Sequence, residues 1–406
     1  MAGKRKIIND PVFGFISIPR HILDVLGHPL VQRLTRIRQM GLSNTVYPGA
    51  IHTRFLHSIG AMHLMTEAIA QLRQQGVDIS TAQGEAARLA ILLHDTGHGP
   101  FSHVLENTIV SGISHEEISL LIMQRINEEL DGKLDEAIKV FTDIDQPHFL
   151  HQLVSSQLDV DRLDYLSRDS FFCGVSEGMV ASARIISMLN VVDDKLVVEN
   201  KGIYSVEKFL LARRLMYWQV YLHKTSVIAE QMLTLILKRA RELCHAGKTQ
   251  LCMPPLSFFL HNEITGDDFR GNSNVLDAYT ALDDHDVIAA VKIWQHSKDF
   301  VLSKLCRDLL NRHFFKVTVI NDGEPLPDQD ALTEHYAKTL GISPEEAEYF
   351  HGVRTVSTDT YNAEDGGISI LMNDGRVLDL ADASDMLNHS VLNKHVRKHY
   401  AYQLRS

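Results

Sequence analysis

The residues of this chain whose types and spacing favour catalysis are concentrated in one stretch, LAILLHDTGHGPFSH, at 89–103. An apolar helical run leads there to His94 and Asp95, and Gly97 and Gly99 follow. On a continuous helix, neighbouring side chains point roughly 100° apart and would not both face one ion. A helix end opened by glycines can turn, so both side chains can converge. The stretch therefore predicts part of a metal site, with further imidazoles close by.

Two other segments offer the remaining ligands that a metal ion would need. His57 lies in RFLHS, near the start of an amphipathic helical segment. Asp161, Tyr165 and Asp169 follow one another at helical spacing in LDVDRLDYLSRD and form one polar stripe. Two histidines and two aspartates would then surround the ion. That mixed set suits Mn, Fe(II), Co, Ni or Zn and suits Mg less well.

Each of these signals also has a purely structural explanation. A lone histidine such as His57 is more often a hydrogen-bonded core residue, and the 161–169 stripe is more often a solvated face with ion pairs. A second His-Asp pair, His285–Asp286, lies in the polar setting DDHD, which is typical of a capped helix start. The joint occurrence of three candidate segments in one chain favours the metal site.

A third predicted helix, 211–224, adds the positive charge that a phosphate substrate needs. Arg213, Tyr217, Tyr221 and Lys224 lie on one stripe of LARRLMYWQVYLHK. Arginine offers a fork for phosphate oxygens, and tyrosine can pack against a sugar or base while hydrogen bonding. An amphipathic helix whose long side chains reach solvent explains the same pattern equally well.

The pattern along the chain predicts a mainly α fold in which these segments are positioned by helices. Apolar residues recur at helical spacing from Arg20 to about Ala246, and capping boxes mark starts at Ser80 and Ser114. The turn signal Asn373-Asp374-Gly375 predicts a β-hairpin near the end of the chain. We expect an N-terminal arm, an all-helical domain, an exposed connecting segment and a smaller α/β C-terminal unit, over 1–20, 21–250, 251–285 and 286–406.

Composition excludes several classes of protein. The formal charge of −11 disfavours strong nucleic-acid binding, which needs clustered excess Lys and Arg. Four scattered cysteines without CxxC spacing indicate neither a zinc–thiolate site nor a disulfide framework. No apolar run approaches the ~18 residues of a membrane span. We therefore expect a cytoplasmic protein without membrane association.

Five motifs of the chain resemble those of the HD-domain phosphohydrolases: RFLHS, HDTGHGPFSH, HEE, DVDRLDYLSRD and the ARR…Y…YLHK helix. Within that superfamily they are most similar to the deoxynucleoside triphosphate triphosphohydrolases. The resemblance implies an HD domain over 21–250 that hydrolyses dNTPs to deoxynucleoside and inorganic tripolyphosphate with a divalent metal, and a homo-oligomer, dimer or tetramer. Alternatives are another HD phosphohydrolase activity, such as a nucleotide monophosphatase or phosphodiesterase, and a nucleotide-sensing module without turnover.

The resemblance also implies a role for individual residues. The family's metal ligands match His57, His94, Asp95 and Asp161. Its catalytic positions around the α-phosphate match His98, His103, Glu106 and His115, where Glu106 replaces an aspartate. Its substrate-contacting positions match Gln39 for the 3′-hydroxyl, Arg54, Arg162 and Arg213 for phosphates, Tyr165, Asp169 and Tyr221 for the sugar, and Tyr217 for the base.

Overall fold

The computed structural model describes residues 6–105, 108, 110–358, 367–386 and 396–405. It begins with an antiparallel hairpin of β1 (Lys6–Asp10) and β2 (Gly14–Ile18), in which Lys6 pairs with Ile18. Ile16 and Ile18 are buried, so one face of the hairpin packs on the helices that follow. Residues 6–18 therefore belong to the folded core.

Helices make up most of the chain between this hairpin and residue 245. They are α1 (Leu23–Leu26), α2 (Pro29–Gln32), α3 (Arg54–Gln74), α4 (Thr81–Leu93), α5 (Ser102–Leu105), α6 (His115–Glu129), α7 (Asp135–Thr142), α8 (His148–Val154), α9 (Val160–Cys173), α10 (Ser182–Ile186), α11 (Ile203–Met216) and α12 (Lys224–His245). The predicted capping boxes at Ser80 and Ser114 are confirmed at the starts of α4 and α6. The mainly α class is likewise confirmed.

This domain is not wholly helical, because β3 (Leu189–Val192) and β4 (Lys195–Glu199) form a hairpin between α10 and α11. Its turn is Asp193–Asp194, and both residues adopt positive φ, which short polar side chains tolerate. β-Branched pairs flank the two aspartates in VVDDKLVV. That pattern is a strand signal that the helical interpretation overlooked.

The interpretation of 251–285 as an exposed connection is wrong. Three short helices form there: α13 (Pro254–His261), α14 (Gly266–Gly271) and α15 (Ser273–Ala281). Phe259, Phe269 and Tyr279 are buried and pack against one another. The residues taken as turn formers instead begin helices, since Pro254 is the first residue of α13 and Thr265 caps α14.

The C-terminal part is mixed α/β, as expected. It contains α16 (Asp284–Trp294), α17 (Phe300–Leu310), β5 (Lys316–Asn321), α18 (Gln329–Leu340), α19 (Pro344–Ala347), β6 (His351–Thr358), β7 (Ser369–Leu371), β8 (Val377–Asp379), α20 (Leu380–Ala383) and β9 (Val396–Gln403). The predicted hairpin at Asn373-Asp374-Gly375 is confirmed as β7–β8.

Two sheets tie this part to the helical domain. The order β5-β9-β6 is antiparallel, whereas β3-β4-β7-β8 is mixed because β4 and β7 run parallel. Strands from before residue 200 and after residue 368 therefore share one sheet. Within the described ranges, no helix combines the length and apolar character needed to cross a membrane.

Candidate active site

Three helices bring two imidazoles and a carboxylate together. His57 lies on α3, His94 is the residue at which α4 ends, and Asp161 lies in the first turn of α9. Oδ1 of Asp161 lies 3.0 Å from Nε2 of His57 and 3.4 Å from Nε2 of His94. One potential ligand atom from each residue lies within 4.8 Å of the others. The structure thus places three of the four predicted metal ligands around one point.

The fourth predicted ligand, Asp95, lies at the edge of this cluster. Its oxygens are 3.7 Å from Nε2 of His94 and 3.9 Å from Nε2 of His57. The same carboxylate accepts a hydrogen bond from Arg54 at 2.5 Å and contacts Nε2 of His98 at 3.2 Å. Ligation by Asp95 therefore stays a prediction.

The donor set fits a divalent metal. Nε2 of His57 and Nε2 of His94 are both buried, and neither has a hydrogen-bond partner of normal geometry within the described ranges. The other ring nitrogens are engaged, since Nδ1 of His57 lies 2.7 Å from Asp164 and Nδ1 of His94 lies 2.6 Å from the carbonyl of Ile91. An imidazole that donates through Nδ1 presents a lone pair on Nε2. Two such nitrogens and a carboxylate are typical ligands of transition metals.

The electrostatics of the cluster favour a cation at this point. Burial alone would lower the pKa of His57, but the hydrogen-bonded carboxylate of Asp164 and the nearby carboxylate of Asp161 raise it to about 10. His57 and His94 in turn hold the pKa of Asp161 below its usual range in spite of burial. The carboxylates thus stabilise positive charge here, whether it is a proton on imidazole or a metal ion.

Gly97 allows a close helix contact rather than an unusual backbone turn. Its φ is not positive, so the turn that follows α4 does not depend on a left-handed backbone conformation at this glycine. A Cβ at Gly97 would lie 2.0 Å from the carbonyl oxygen of His115 and 2.4 Å from the amide nitrogen of Ser119. Ser119 donates to the carbonyl of His94 and accepts from the amide of Gly97. The absence of a side chain at Gly97 therefore lets α6 pack directly on the backbone of residues 94–97.

This docking places two of the predicted catalytic histidines side by side. The rings of His98 and His115 stack with centroids 3.9 Å apart. His98 is buried, and burial together with the charge of Arg54 lowers its pKa to about 3. The side chains of His103 and Glu106 lie outside the described residues, so their predicted roles are not tested.

A cavity of about 720 Å³ opens from the cluster, and most predicted substrate residues line it. They are Gln39, Arg54, Arg162, Tyr165, Asp169, Tyr217 and Tyr221. Arg213 is the exception, because it is not among the lining residues and donates to Gln157 instead. The structure therefore gathers predicted residues from α3, α9 and the segment after α11 around one space.

Helix α9 runs along this cavity and carries Tyr165 and Asp169 at successive turns after Asp161. Asp169 accepts a hydrogen bond from the hydroxyl of Tyr221 at 2.7 Å, and its other oxygen lies 2.7 Å from Nε2 of His52. Tyr221 ends a π-helical segment, a feature that often marks functional sites. Sequence reasoning missed His52, since a single histidine before RFLHS has no periodic partner.

A buried network, also missed, supports His57 from behind. Asp164 receives two hydrogen bonds from Arg168, which also donates to Asp10 at 2.7 Å. The Arg168, Asp164 and Asp10 side chains are all 0% exposed. A Cβ at Gly60 would come within 2.0 Å of both Arg168 and Asp164. Asp10 of the N-terminal hairpin is thereby connected to His57 through Arg168 and Asp164.

Comparisons with known proteins agree with this geometry. A family model described as HD domain matches residues 54–169, and one described as HD associated region matches 180–252. Uncharacterized protein YwfO of Bacillus subtilis is 32% identical over 350 residues, which are 84% of this chain and 78% of that protein. The deoxynucleoside triphosphate triphosphohydrolase SAMHD1 homolog of Dictyostelium discoideum is 32% identical over 247 residues.

The match to the Dictyostelium protein covers 56% of this chain and 48% of that relative, so this chain spans about half its length. The crystal structure of a phosphohydrolase from Bacteroides thetaiotaomicron superposes with a TM-score of 0.95 at 54% identity. That similarity covers 99% of this chain and 100% of the other. The resemblance noted in the sequence is thus confirmed, and the chain belongs to the HD-domain phosphohydrolase superfamily.

Proposed function

We propose that this protein is a metal-dependent triphosphohydrolase that converts dNTPs to deoxynucleoside and inorganic tripolyphosphate. One observation carries the proposal: a single cavity is lined by His94 and Asp161 of the metal cluster at one end, by arginines beside it, and by the Asp169–Tyr221 pair further along α9. A nucleoside triphosphate needs all three environments, for the reacting phosphate, for the other phosphates and for the sugar. The similarity to a protein named as a deoxynucleoside triphosphate triphosphohydrolase supports the same substrate class.

Different residues along the cavity bind the metal and the phosphates. His57, His94 and Asp161, with Asp95 as the further ligand, would hold a divalent metal, which would supply Lewis-acid polarisation of a phosphate oxygen and activation of water. Arg54 and Arg162 hold phosphate oxygens through charge-assisted hydrogen bonds.

Other hydrogen-bonding side chains of the cavity transfer the proton and bind the sugar. One of His98, His103 and His115 passes a proton to the leaving 5′ oxygen, and Glu106 sets the protonation of that imidazole. Gln39, Asp169 and Tyr221 bind the deoxyribose, because carboxylate, amide and phenol can all hydrogen bond to its 3′-hydroxyl.

Product analysis tests the proposal directly. Purified protein is incubated with each of the four dNTPs and with Mn²⁺, Co²⁺, Fe²⁺, Ni²⁺, Zn²⁺ or Mg²⁺, with and without added GTP, and the products are separated by ion-exchange chromatography. We expect deoxynucleoside and tripolyphosphate in equal amounts. Release of a deoxynucleoside monophosphate or of orthophosphate would indicate another HD phosphohydrolase activity, and binding without turnover would indicate a sensor.

Ligand variants test the metal site separately. His94→Ala and Asp161→Ala are expected to lose bound metal in elemental analysis while circular dichroism shows nearly unchanged helix content. His285→Ala is a matched control, since His285 belongs to the second His-Asp pair and its side chain is 79% exposed. Retention of metal by both ligand variants would show that the ligand set is wrong.

Assembly and location are further parts of the proposal. We expect a homo-oligomer, a dimer or tetramer, which light scattering on the purified protein would measure. The expectations of a cytoplasmic protein and of no strong nucleic-acid binding remain predictions, and the second is checked by a DNA titration at low salt.

A further inference from the structure

The central strand of the C-terminal sheet lies beside the break between α11 and α12. Lys398 and Tyr400 are two residues apart on β9, so their side chains lie on one face of the sheet. Nζ of Lys398 lies 4.2 Å from the ring centroid of Trp218, which is within the range of a cation–π contact. The hydroxyl of Tyr400 donates to the carbonyl of Leu222 at 2.9 Å. One strand therefore contacts both ends of the π-helical segment Tyr217–Tyr221, since Leu222 follows it directly.

The backbone of this segment needs hydrogen-bond partners from outside the helix. The helical run of α11 ends with this segment, and the last carbonyls of a helix lack intrahelical donors. The hydroxyl of Tyr47 donates to the carbonyl of Gln219 at 2.8 Å, as that of Tyr400 does to the carbonyl of Leu222. Tyr400 is only 3% exposed, so its contact lies away from bulk water, where an unpaired carbonyl would be costly. Phenols from two distant parts of the chain thus fix the break.

The same segment carries two of the predicted substrate residues. Tyr217 and Tyr221 both line the cavity, and their rings lie edge to face with centroids 5.4 Å apart. The hydroxyl of Tyr221 donates to Asp169 at 2.7 Å. Arg354, the partner of Tyr400 across the sheet, lines the cavity as well. A shift of the backbone that β9 contacts would therefore move Tyr221 relative to Asp169.

We propose that the C-terminal sheet completes the sugar site, because Lys398 and Tyr400 hold the π-helical segment in the position from which Tyr221 meets Asp169. Lys398 and Tyr400 are not among the described residues that line the cavity, so they act through the segment and are positioning residues. The assignment rests on the proposed function, in which Tyr221 and Asp169 bind the deoxyribose. It gives the C-terminal part of the chain a role in substrate binding.

Removal of one hydroxyl tests the role of Tyr400. Tyr400→Phe keeps the ring and leaves the carbonyl of Leu222 without this donor. We expect KM for dNTPs to rise by about two- to tenfold, the range of one neutral hydrogen bond, with kcat nearly unchanged. Metal content and calorimetric binding of inorganic tripolyphosphate should match the wild type, because tripolyphosphate has no sugar. A loss of tripolyphosphate binding as large as the loss of dNTP binding would show a general defect and overturn the assignment.

A second variant and two matched controls separate positioning from stability. Lys398→Met removes the charge and should raise KM for dNTPs by about two- to fivefold, the range of a partly exposed cation–π contact. Tyr336→Phe is the control for Tyr400→Phe, because the hydroxyl of Tyr336 donates to a carbonyl near the end of the chain. Lys238→Met is the control for Lys398→Met, because Lys238 lies over the ring of Tyr349. An unchanged KM in both test variants, or an equal rise in the controls, would overturn the proposal.

Fluorine NMR follows the π-helical segment without turnover. The chain has two tryptophans, Trp218 in the segment and Trp294 buried in α16. Protein labelled with 5-fluorotryptophan therefore gives two resonances, which Trp218→Phe assigns. We expect Tyr400→Phe to shift the resonance of Trp218 and to leave that of Trp294 in place, whereas an unmoved Trp218 resonance would overturn the proposal. If the wild type releases no tripolyphosphate, the proposed reaction fails, and these resonances together with dNTP binding still decide the role of the sheet.

Discussion

Oδ2 of Asp164 lies 2.7 Å from Nδ1 of His57, and both side chains are buried. This contact fixes the imidazole with Nε2 directed at Asp161, another candidate metal ligand. Such carboxylate–histidine pairs raise the basicity of the ligand, and their loss typically costs ~10–100-fold in metal affinity.

Asp164→Asn should therefore weaken metal binding by about that factor. The measurement is a competition titration with a chromophoric chelator, followed by elemental analysis of the dialysed protein. Asp330→Asn, an exposed residue of α18, is the control and should bind metal like the wild type. An unchanged dissociation constant in Asp164→Asn would show that Asp164 does not orient the ligand.

The contact of Arg168 with Asp10 should contribute to stability because it is fully buried. Asp10→Asn replaces the carboxylate by an amide and leaves the guanidinium short of countercharge. Breaking one partner of a buried pair typically costs about 3 kcal/mol or more of unfolding free energy. Urea unfolding followed by circular dichroism measures the cost.

An exposed ion pair provides the comparison for Asp10→Asn. Asp24 contacts Lys133 at 3.1 Å, but its side chain is 72% exposed. Asp24→Asn should change the unfolding free energy by less than about 1 kcal/mol. Equal effects of the two substitutions would mean that the hairpin contact adds nothing beyond surface electrostatics.

Gly97→Ala should disturb catalysis through helix packing. The added Cβ would meet backbone atoms of α6 that cannot move independently, so α6 and His115 must shift. Overpacking of this kind costs roughly 1–3 kcal/mol. We expect kcat to fall at least about tenfold, since a misplacement near the reacting atoms is costly. Gly271→Ala is the control, because a Cβ there meets nothing within 4 Å, and comparable losses in both variants would contradict the packing explanation.

The grouping of His94 and Asp161 could be expected from the sequence because His94 follows the apolar run that forms α4 and Asp161 lies on the polar stripe of α9. His57 lies near the start of α3, where most side chains are buried, so its direction does not follow from periodicity. The occurrence of three candidate ligand segments in one chain then favoured a metal site over a purely structural role for each segment. Where helices were short, as over 251–285, the same periodicity could not be distinguished from turns.

The remaining site residues depend on contacts between distant parts of the chain. Arg354 reaches the cavity only because β6 pairs with β9 and that sheet rests on α12. His52 reaches Asp169 across 117 residues from an irregular segment. No local pattern marks such residues, because their position is set by how separate elements pack. Arg213 is the opposite case. Tyr217 and Tyr221 of the same predicted stripe line the cavity, but Arg213 contacts Gln157 instead.

His52 should act as a positioning residue for Asp169. Its ring stacks on Phe172 with centroids 4.4 Å apart, which fixes Nε2 at the carboxylate. His52→Gln should raise KM for dNTPs by about tenfold, the cost of one hydrogen bond to a charged group. The change should be smaller for 2′,3′-dideoxynucleotides, which lack the 3′-hydroxyl. His245→Gln, at the end of α12, is the control. An equal rise for both nucleotide types would indicate a general structural defect.

Asp284 should make stability depend on pH. Its Oδ2 accepts from the amide of Arg38, while Oδ1 is buried without a hydrogen-bond partner among the residues that the structure describes. Burial raises the pKa of Asp284 from 3.8 to about 6, against the charges of Arg38 and Arg54. The folded protein thus holds this proton more tightly than the unfolded chain does. Protonation of Asp284 therefore stabilises the folded state fully below pH 3.8, and this contribution is lost as pH rises through about 6.

Asp284→Asn keeps a neutral side chain at every pH and should remove this dependence. Relative to the wild type, its unfolding free energy should be similar near pH 4 and higher at pH 7.5, by at most about 3 kcal/mol. Urea unfolding at both pH values measures the difference, with the exposed Asp330→Asn as control. If the wild type and Asp284→Asn differ by the same amount at both pH values, Asp284 is not the group that titrates, because only a proton gained between those values can change the difference.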